Sequence, residues 1–293
     1  MLMTVLMNDA QAKLPQSDKD RAATGILASL LYADDTLLLG VEEASLQRFM
    51  AAVAEVGATY GLQLHWGKLQ QLNVRCNARL RQPSGTPITP NEQLTYLGNI
   101  ISDDGRIQKE LLRRLGLAQG TFRELSRVWK HSSMGRRRKL LLFNALVVPR
   151  LMYALQVAWL NKAERRKLDG FQNRCLRSLW GIKPSFVSRT SNAEVLKTTA
   201  QQPLSQHLEK QQLLYFGKVA RADNTSILKQ AAFGPIALIP TTELYVRKVG
   251  RPRAAWASSV RQLALRIAGS LANLEHTVAE EERWRRLVKE AYS

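Results

Sequence analysis

The sequence predicts an α+β fold in which a small antiparallel sheet near the amino end is followed by a mostly α-helical chain. Two continuous apolar runs, at residues 25–32 and 36–40, are separated by three residues, which is typical of a β-hairpin. Beyond residue 105, apolar residues recur every three or four positions, which is the spacing of amphipathic helices. With 293 residues, 45% of them hydrophobic and 23% charged, the chain has enough apolar material to bury a core.

The segments around the hairpin follow from similar patterns. Residues 15–20 are polar and are expected to form a loop before it. Apolar residues recur at helical spacing over residues 46–60, so an amphipathic helix follows the hairpin, and Gly61 is placed to end it. Residues 62–104 are turn-rich and extended, with one short strand expected at residues 96–101.

The remainder of the chain is predicted to be helical. An apolar seam with alternating steps of four and three residues runs from Leu111 to Trp129. A break is expected at Pro149, because proline removes a helical hydrogen bond. Further helices are expected at about residues 136–148, 151–160, 163–180, 205–221 and 257–290.

The charge is large, positive and unevenly distributed. The formal net charge is +19, from 43 Lys and Arg against 24 Asp and Glu. Residues 1–60 contain eight acidic and four basic residues, whereas residues 106–150 contain twelve basic and two acidic ones. Such a basic segment attracts polyanions, with an affinity that falls steeply as salt rises. The charge alone leaves open a helical protein with a solvated basic face.

Two classes of protein are excluded by the sequence. Residues 140–160 have the length of a membrane span, but Pro149 and Arg150 stand at their centre, where a charge costs roughly 2.5–3.5 kcal/mol. Two short buried helices that meet at Pro149 fit this segment better, so we expect no membrane partner. The second excluded class is a secreted protein stabilised by disulfides, because Cys76 and Cys175 cannot form a disulfide framework. Their spacing is not that of zinc ligands either.

The adjacent carboxylates of Asp34 and Asp35 are the groups whose chemistry the pattern singles out. Two like charges at the tip of an apolar, buried hairpin repel each other and have little water nearby, so a cation should compensate them. Mg²⁺ prefers carboxylate oxygens, and a pair of such ions activates a 3′-hydroxyl and stabilises a leaving pyrophosphate. The alternative is an exposed turn, since aspartate favours turns in any protein.

The hairpin sequence resembles that of a known enzyme family. Leu31-Tyr32-Ala33-Asp34-Asp35-Thr36-Leu37-Leu38-Leu39 is similar to the catalytic hairpin, with its YADD motif, of reverse transcriptases from non-LTR (LINE-type) retrotransposons. Residues 61–68 resemble the family's motif D, and residues 94–101 resemble the segment that grips the primer end. Segments that resemble the thumb and carboxy-terminal region follow at residues 149–153, 168–177, 214–221 and 250–256. Each match alone is weak, and their order over most of the chain carries the resemblance.

The resemblance implies catalytic roles for three residues. Asp34 and Asp35 would be the metal ligands, with Asp34 the principal one. Lys68 would lie near the incoming triphosphate and protonate the pyrophosphate. The plain alternative for Lys68 is a surface lysine.

The resemblance also implies two nucleic-acid contacts. Tyr96, Leu97 and Gly98 would contact the primer backbone, where a glycine permits close approach, although an ordinary edge strand is the alternative. Four consecutive basic residues would lie on thumb helices and face the template and primer phosphates: Arg136, Arg137, Arg138 and Lys139. A solvated basic face is the alternative for these four.

Departures from the family pattern limit what the chain is expected to do alone. The family's first catalytic aspartate belongs to motif A, upstream of the hairpin, and neither motif A nor the Gly-rich motif B occurs in these residues. Among upstream carboxylates, Asp9 matches a family aspartate that is not a metal ligand, and Asp18 falls in the expected loop. His65 stands where motif D usually has asparagine. Two carboxylates alone hold two Mg²⁺ ions poorly.

The resemblance therefore implies the carboxy-terminal part of a reverse transcriptase, with a truncated palm at residues 1–104, a thumb-like region at 105–160 and a basic helical region at 161–293. The implied reaction is RNA-directed DNA synthesis with Mg²⁺ or Mn²⁺, from an RNA template, a DNA primer and a dNTP. We expect the chain alone not to perform it. The implied location is intracellular, in the nucleus or cytoplasm. The competing hypotheses are a non-catalytic basic protein that binds nucleic acid and a fragment that does not fold alone.

Overall fold

A computed structural model describes residues 2–234, 238–241 and 255–292 of the chain. Two compact units are present, Met1–Arg106 and Ile107–Ser293. The first carries small antiparallel sheets, and the described part of the second consists mainly of helices, so the α+β class is confirmed in outline. Most of the motif at residues 250–256 lies outside the described residues.

The first unit combines helices with paired strands. The aspartate hairpin, β1–β2, is antiparallel, with Leu27 opposite Gly40 at its open end. A very short parallel pair, β3–β4, and a second antiparallel hairpin, β5–β6, follow. In chain order the elements are α1 (Leu2–Ala12), α2 (Gln16–Ala23), β1 (Leu27–Tyr32), β2 (Asp35–Gly40), α3 (Glu43–Thr59), β3 (Gln71–Leu72), β4 (Pro90–Asn91), β5 (Gln93–Tyr96) and β6 (Asn99–Ser102).

Helix α3 forms as the sequence predicts and builds the core of this unit. Glu43 lies in its first turn, where a carboxylate interacts favourably with the helix dipole. After the helix ends, Gly61 adopts a φ of +71°, which glycine accepts without strain. Phe49 and Val53 on its inner face are buried together with Leu6 of α1 and one face of the β1–β2 hairpin.

The helices of the second unit pack into two apolar clusters. One cluster is built mainly from α4 to α8 and α10, and the other from α11 and α13 to α15. The helices are α4 (Gln108–Glu124), α5 (Ser126–His131), α6 (Arg136–Leu142), α7 (Val148–Met152), α8 (Lys162–Trp180), α9 (Ser185–Ser188), α10 (Asn192–Thr199), α11 (Leu204–Arg221), α12 (Ile227–Ala232), α13 (Trp256–Ala268), α14 (Leu271–Ala279) and α15 (Glu281–Ala291).

Local sequence signals explain where the longest of these helices begins and ends. The Asn161 side chain accepts hydrogen bonds from the first turn of α8, while Glu164 reaches back to the Asn161 amide. Gly181 ends the helix with a φ of +71°.

In the second cluster, Gly217 of α11 leaves room for the buried indole of Trp284, because a Cβ at this position would overlap the ring.

Two predictions about the helices before α7 need correction. Residues 15–20 are not a loop, because helix α2 begins at Gln16 and its Asp18 is fully buried. The helical region before Pro149 does not break there. A π-helical turn at Phe143–Val147, in which the amide of Val148 donates to the carbonyl of Phe143, lets the chain enter α7 with Pro149 in its first turn.

The chain after α7 also differs from the prediction. Helix α7 ends at Met152 rather than near residue 160, and Ala154 takes a left-handed conformation with a φ of +58° before a short 3₁₀ turn at Leu155–Val157. The helix expected at residues 257–290 is three helices, divided at Gly269-Ser270 and at Glu280. Within the described ranges, none of the helices has both the length and the apolar character that a bilayer crossing requires.

Candidate functional site

The two candidate metal ligands lie at the tip of the β1–β2 hairpin. Tyr32 and Asp35 are paired across the strands, so Ala33 and Asp34 form a two-residue turn. Ala33 has a φ of +54°, which is rare for a residue with a side chain and is typical of the tight turns that join twisted strands.

The hairpin is covered on one face only. Leu27, Leu31 and Leu38 point into the core formed with α1 and α3. Leu30 and Tyr32, on the opposite face, are exposed, Tyr32 to 64%. The expectation of a buried hairpin therefore holds for one face only, because the described part of this sheet has two strands and helices α1 and α3 pack on one side.

Asp34 and Asp35 are both exposed to solvent. Water therefore reduces the repulsion that the sequence alone suggested. Asp34 opens onto a shallow depression of about 420 Å³ that the amino end of α1 also lines. Among the described residues, no three His, Cys, Asp or Glu side chains lie together as a metal-binding group, so the structure offers these two carboxylates without a third.

Asp18, expected in a loop from the sequence, is a buried carboxylate of α2, the helix that precedes the hairpin in the chain. Asp18 of α2 accepts hydrogen bonds from Arg48 Nε and Nη2 at 2.6 and 2.9 Å, from Ser45 Oγ at 2.8 Å and from Arg21 Nη1 at 2.9 Å. Hydrogen bonds from Arg48 lower the pKa of Asp18 far below its usual value, despite the opposing effect of burial. Asp18 is thus an ionised structural carboxylate whose oxygens are already engaged.

Asp9, the other upstream candidate, accepts a hydrogen bond through one oxygen. Tyr60 Oη donates to Asp9 Oδ2 at 2.5 Å, and this bond raises the pKa of Tyr60 above its usual value. The contact ties the end of α3 to α1. Asp18 is therefore fully engaged, whereas Asp9 is bonded through one of its two oxygens.

The segment expected to contact a primer is a hairpin rather than a single strand. Tyr96 pairs with Asn99, and Leu97 and Gly98 form the two-residue turn between β5 and β6. Their φ angles are +47° and +75°, as a type I′ turn requires. The prediction of one strand over residues 96–101 is wrong, because the chain turns at Leu97 and Gly98. Leucine seldom adopts a positive φ, so the sequence contains no sign of a turn there.

One long hydrogen bond links this second hairpin to the aspartate hairpin. Tyr96 Oη donates to the backbone carbonyl of Leu30 in β1, across 3.4 Å.

Lys68 lies on an exposed 3₁₀ turn, Trp66–Lys68, between α3 and β3. The role of Lys68 at a triphosphate remains a prediction.

The four basic residues of α6 divide into two groups. Arg136, Arg137 and Arg138 are exposed, which leaves their guanidinium groups accessible to phosphates. Lys139 is nine-tenths buried, and its Nζ donates to the backbone carbonyl of Trp129 at 2.7 Å. This lysine joins α6 to α5, a contact that no sequence pattern signals.

Comparison with protein-family models, with curated proteins and with solved structures finds no match to this chain. The functional interpretation therefore depends on the motifs of the sequence and on the geometry described above.

Proposed function

We propose that the chain is part of a reverse transcriptase of the non-LTR retrotransposon type and contains the aspartate hairpin and the segments that follow it in that family. In this proposal the chain binds an RNA template paired with a DNA primer. The primer end lies at Asp34 and Asp35, with Mg²⁺ or Mn²⁺ as the metal. The proposed family is inferred from the sequence motifs. The structure shows which of their residues are exposed or bonded, and so which substitutions can test the proposal.

The contact between the two hairpins is the observation that carries this proposal. Tyr96 and Leu30 are 66 residues apart in the chain, and the hydrogen bond from Tyr96 Oη to the Leu30 carbonyl, at 3.4 Å, supports a primer contact near the strand that leads to Asp34. A polymerase needs this combination, because the primer end must be held close to the metal ligands for in-line attack.

The catalytic part of the proposal is limited by the number of available carboxylates. Asp34 and Asp35 supply two, both oxygens of Asp18 accept hydrogen bonds, and Asp9 accepts one from Tyr60 through Oδ2. A two-metal site that is ligated from one side only binds its ions weakly. We therefore expect this chain alone to incorporate no dNTP on an RNA template, with either Mg²⁺ or Mn²⁺. Incorporation that is lost in Asp34→Ala would overturn this expectation.

Preference for a primer end distinguishes the proposal from general basic binding. The experiment compares the affinity for an RNA–DNA duplex with a recessed primer 3′ end with that for a blunt duplex of equal length, in Mg²⁺ and in EDTA. The proposal predicts a preference for the recessed end that needs Mg²⁺ and disappears in a double variant, Asp34→Asn with Asp35→Asn. Because both side chains are exposed, the variant is expected to fold normally.

A second candidate function rests on the exposed arginines of α6. Three adjacent guanidinium groups, in a segment with twelve basic and two acidic residues, suit a non-catalytic protein that binds nucleic acid through its phosphates. This candidate predicts equal affinity for recessed and blunt duplexes and no effect of the Asp34 and Asp35 substitutions. An affinity that did not change with salt would contradict both candidates.

A further inference from the structure

A loop in the second unit presents one aromatic ring to solvent. Residues 183–190 follow α8 and contain the short helix α9. Phe186 in this loop is 81% exposed, and Val187 beside it is also exposed. The six other phenylalanines of the chain are buried or half-buried. A single exposed ring is common on protein surfaces and would carry no inference without the features that surround it.

One buried guanidinium holds both ends of this loop. Arg177 of α8 donates from Nη1 to the carbonyl of Lys183 at 3.1 Å and from Nη2 to the carbonyl of Thr190 at 2.7 Å. Nη2 also donates to Asn192 Oδ1 at 3.1 Å. Only 8% of Arg177 is exposed, so these bonds lie largely out of water. Hydrogen bonds from a buried charged group are among the stronger ones in proteins.

Further hydrogen bonds shape the interior of the loop. The amides of Val187 and Ser188 both donate to the carbonyl of Pro184 at 2.9 Å, and Ser188 Oγ donates to the carbonyl of Lys183 at 3.0 Å. Arg189 ends α9 with a φ of +58°, in the left-handed region. The ring of Phe186 is therefore presented by a pre-shaped loop, so a ligand that bound it would pay little entropy to order the backbone.

The charge around the ring indicates which kind of ligand fits. Residues 170–193 contain four basic residues and no acidic one. Two of the four, Lys183 and Arg189, flank Phe186 in the loop and are exposed. Exposed aromatic and basic residues in one loop suit single-stranded nucleic acid, which proteins commonly hold with bases stacked on rings and phosphates on cations.

We propose that Phe186 stacks on an unpaired base of a single-stranded nucleic acid and that Lys183 and Arg189 contact its phosphates. The inference rests on the proposed function, since the chain must bind nucleic acid, and it adds a contact for an unpaired strand. Three features support it together: the exposed ring, the loop that Arg177 holds in place, and the absence of acidic residues over residues 170–193.

The test measures the affinity of the full chain for a labelled oligothymidylate by fluorescence anisotropy. Phe186→Ala is expected to weaken binding by about 5- to 150-fold, the range for loss of one base–aromatic stack. Phe186→Trp retains the affinity, whereas Phe186→Leu loses most of it although the side chain stays apolar. Ile227→Ala, at another exposed apolar residue, is the matched control and leaves the affinity unchanged.

Salt dependence provides a second measurement. Phe186→Ala leaves the slope of log affinity against log salt unchanged, because the ring carries no charge. Lys183→Gln and Arg189→Gln each reduce the slope by about 0.7, the value for one phosphate contact to a single strand. Circular dichroism verifies that each variant is folded.

The outcomes separate this inference from the proposed function. If the unaltered chain binds the oligonucleotide and Phe186→Ala binds it equally well, the stacking contact is refuted while the proposed function stands. Equal binding by Phe186→Leu refutes stacking too, because an aliphatic side chain cannot stack on a base. If the chain binds neither the oligonucleotide nor a template–primer, both proposals fail.

Discussion

Arg48 donates two hydrogen bonds to the carboxylate of Asp18, from Nε at 2.6 Å and from Nη2 at 2.9 Å. Asp18 belongs to α2, which comes before the aspartate hairpin in the chain, and Arg48 belongs to α3, which comes after it. The pair therefore joins the two helices between which the hairpin is inserted. Ser45 and Arg21 donate to the same carboxylate and complete its set of partners.

Loss of the Asp18 charge should destabilise the first unit. Asp18→Asn weakens the bonds from Arg48 and Arg21 around a fully buried side chain, and we expect a loss of about 1–3 kcal/mol in the free energy of unfolding. Urea denaturation measures this quantity. Asp20→Asn, at an exposed carboxylate of the same helix, is the matched control and should change little. Equal midpoints for the two variants would refute the structural role of Asp18.

The same carboxylate should make stability depend on acid pH. Because Arg48 holds the pKa of Asp18 below its ordinary value of 3.8, the folded state binds a proton less readily than the unfolded state. The stabilisation is complete above the ordinary pKa and decreases as pH falls below it. We therefore predict that the difference in urea midpoint between the unaltered chain and Asp18→Asn narrows between pH 7 and pH 3. A difference that stays constant over this range would contradict the assignment.

A substitution in the turn between β5 and β6 is expected to raise the stability of the chain and to weaken its binding to a template–primer. Leu97 has a φ of +47°, which asparagine tolerates better than leucine, so Leu97→Asn should stabilise the chain by about 0.5–1 kcal/mol. If Leu97 contacts the primer, the same variant should bind a template–primer more weakly. Thermal denaturation and anisotropy measure the two effects. Unchanged affinity together with higher stability would remove Leu97 from the primer contact.

The basic residues of α6 should separate into binding and structural groups. Replacing Arg136, Arg137 and Arg138 with glutamine should lower the salt slope of duplex binding by about 0.9 for each phosphate contact that is lost. Lys139→Gln should instead reduce stability by about 1 kcal/mol, because Lys139 Nζ donates to the carbonyl of Trp129. An unchanged salt slope in the triple variant would show that Arg136, Arg137 and Arg138 do not contact phosphates.

The sequence predicted those parts of the fold that depend on strong local patterns. The β1–β2 hairpin, α3, α8 and α11 follow from apolar runs or helical spacing within one segment, with Gly61 ending α3 as expected. A local apolar pattern is enough to identify these elements, although it does not show how much of the hairpin is covered.

The rest depended on contacts between distant residues or on rare backbone conformations. Burial of Asp18 needs Arg48, which lies 30 residues away, and a short polar segment gives no helical signal of its own. The turn at Leu97 needs a positive φ at a leucine, and continuation through Pro149 needs a π-helical turn before it. The candidate carboxylates were identified from their motif, whereas their exposure depends on how much of the hairpin the helices cover.

The position of the primer end is the most direct test of the central claim that Asp34 and Asp35 lie at the reacting end of a primer. A photoreactive thymidine analogue at the primer 3′ end of an RNA–DNA template–primer would be cross-linked to the chain in Mg²⁺ and the attachment site mapped by mass spectrometry. We predict attachment within residues 30–37 or 94–99, the two hairpins that the Tyr96–Leu30 contact joins. Attachment confined to the helices of residues 107–293 would contradict the claim and favour the non-catalytic nucleic-acid-binding protein.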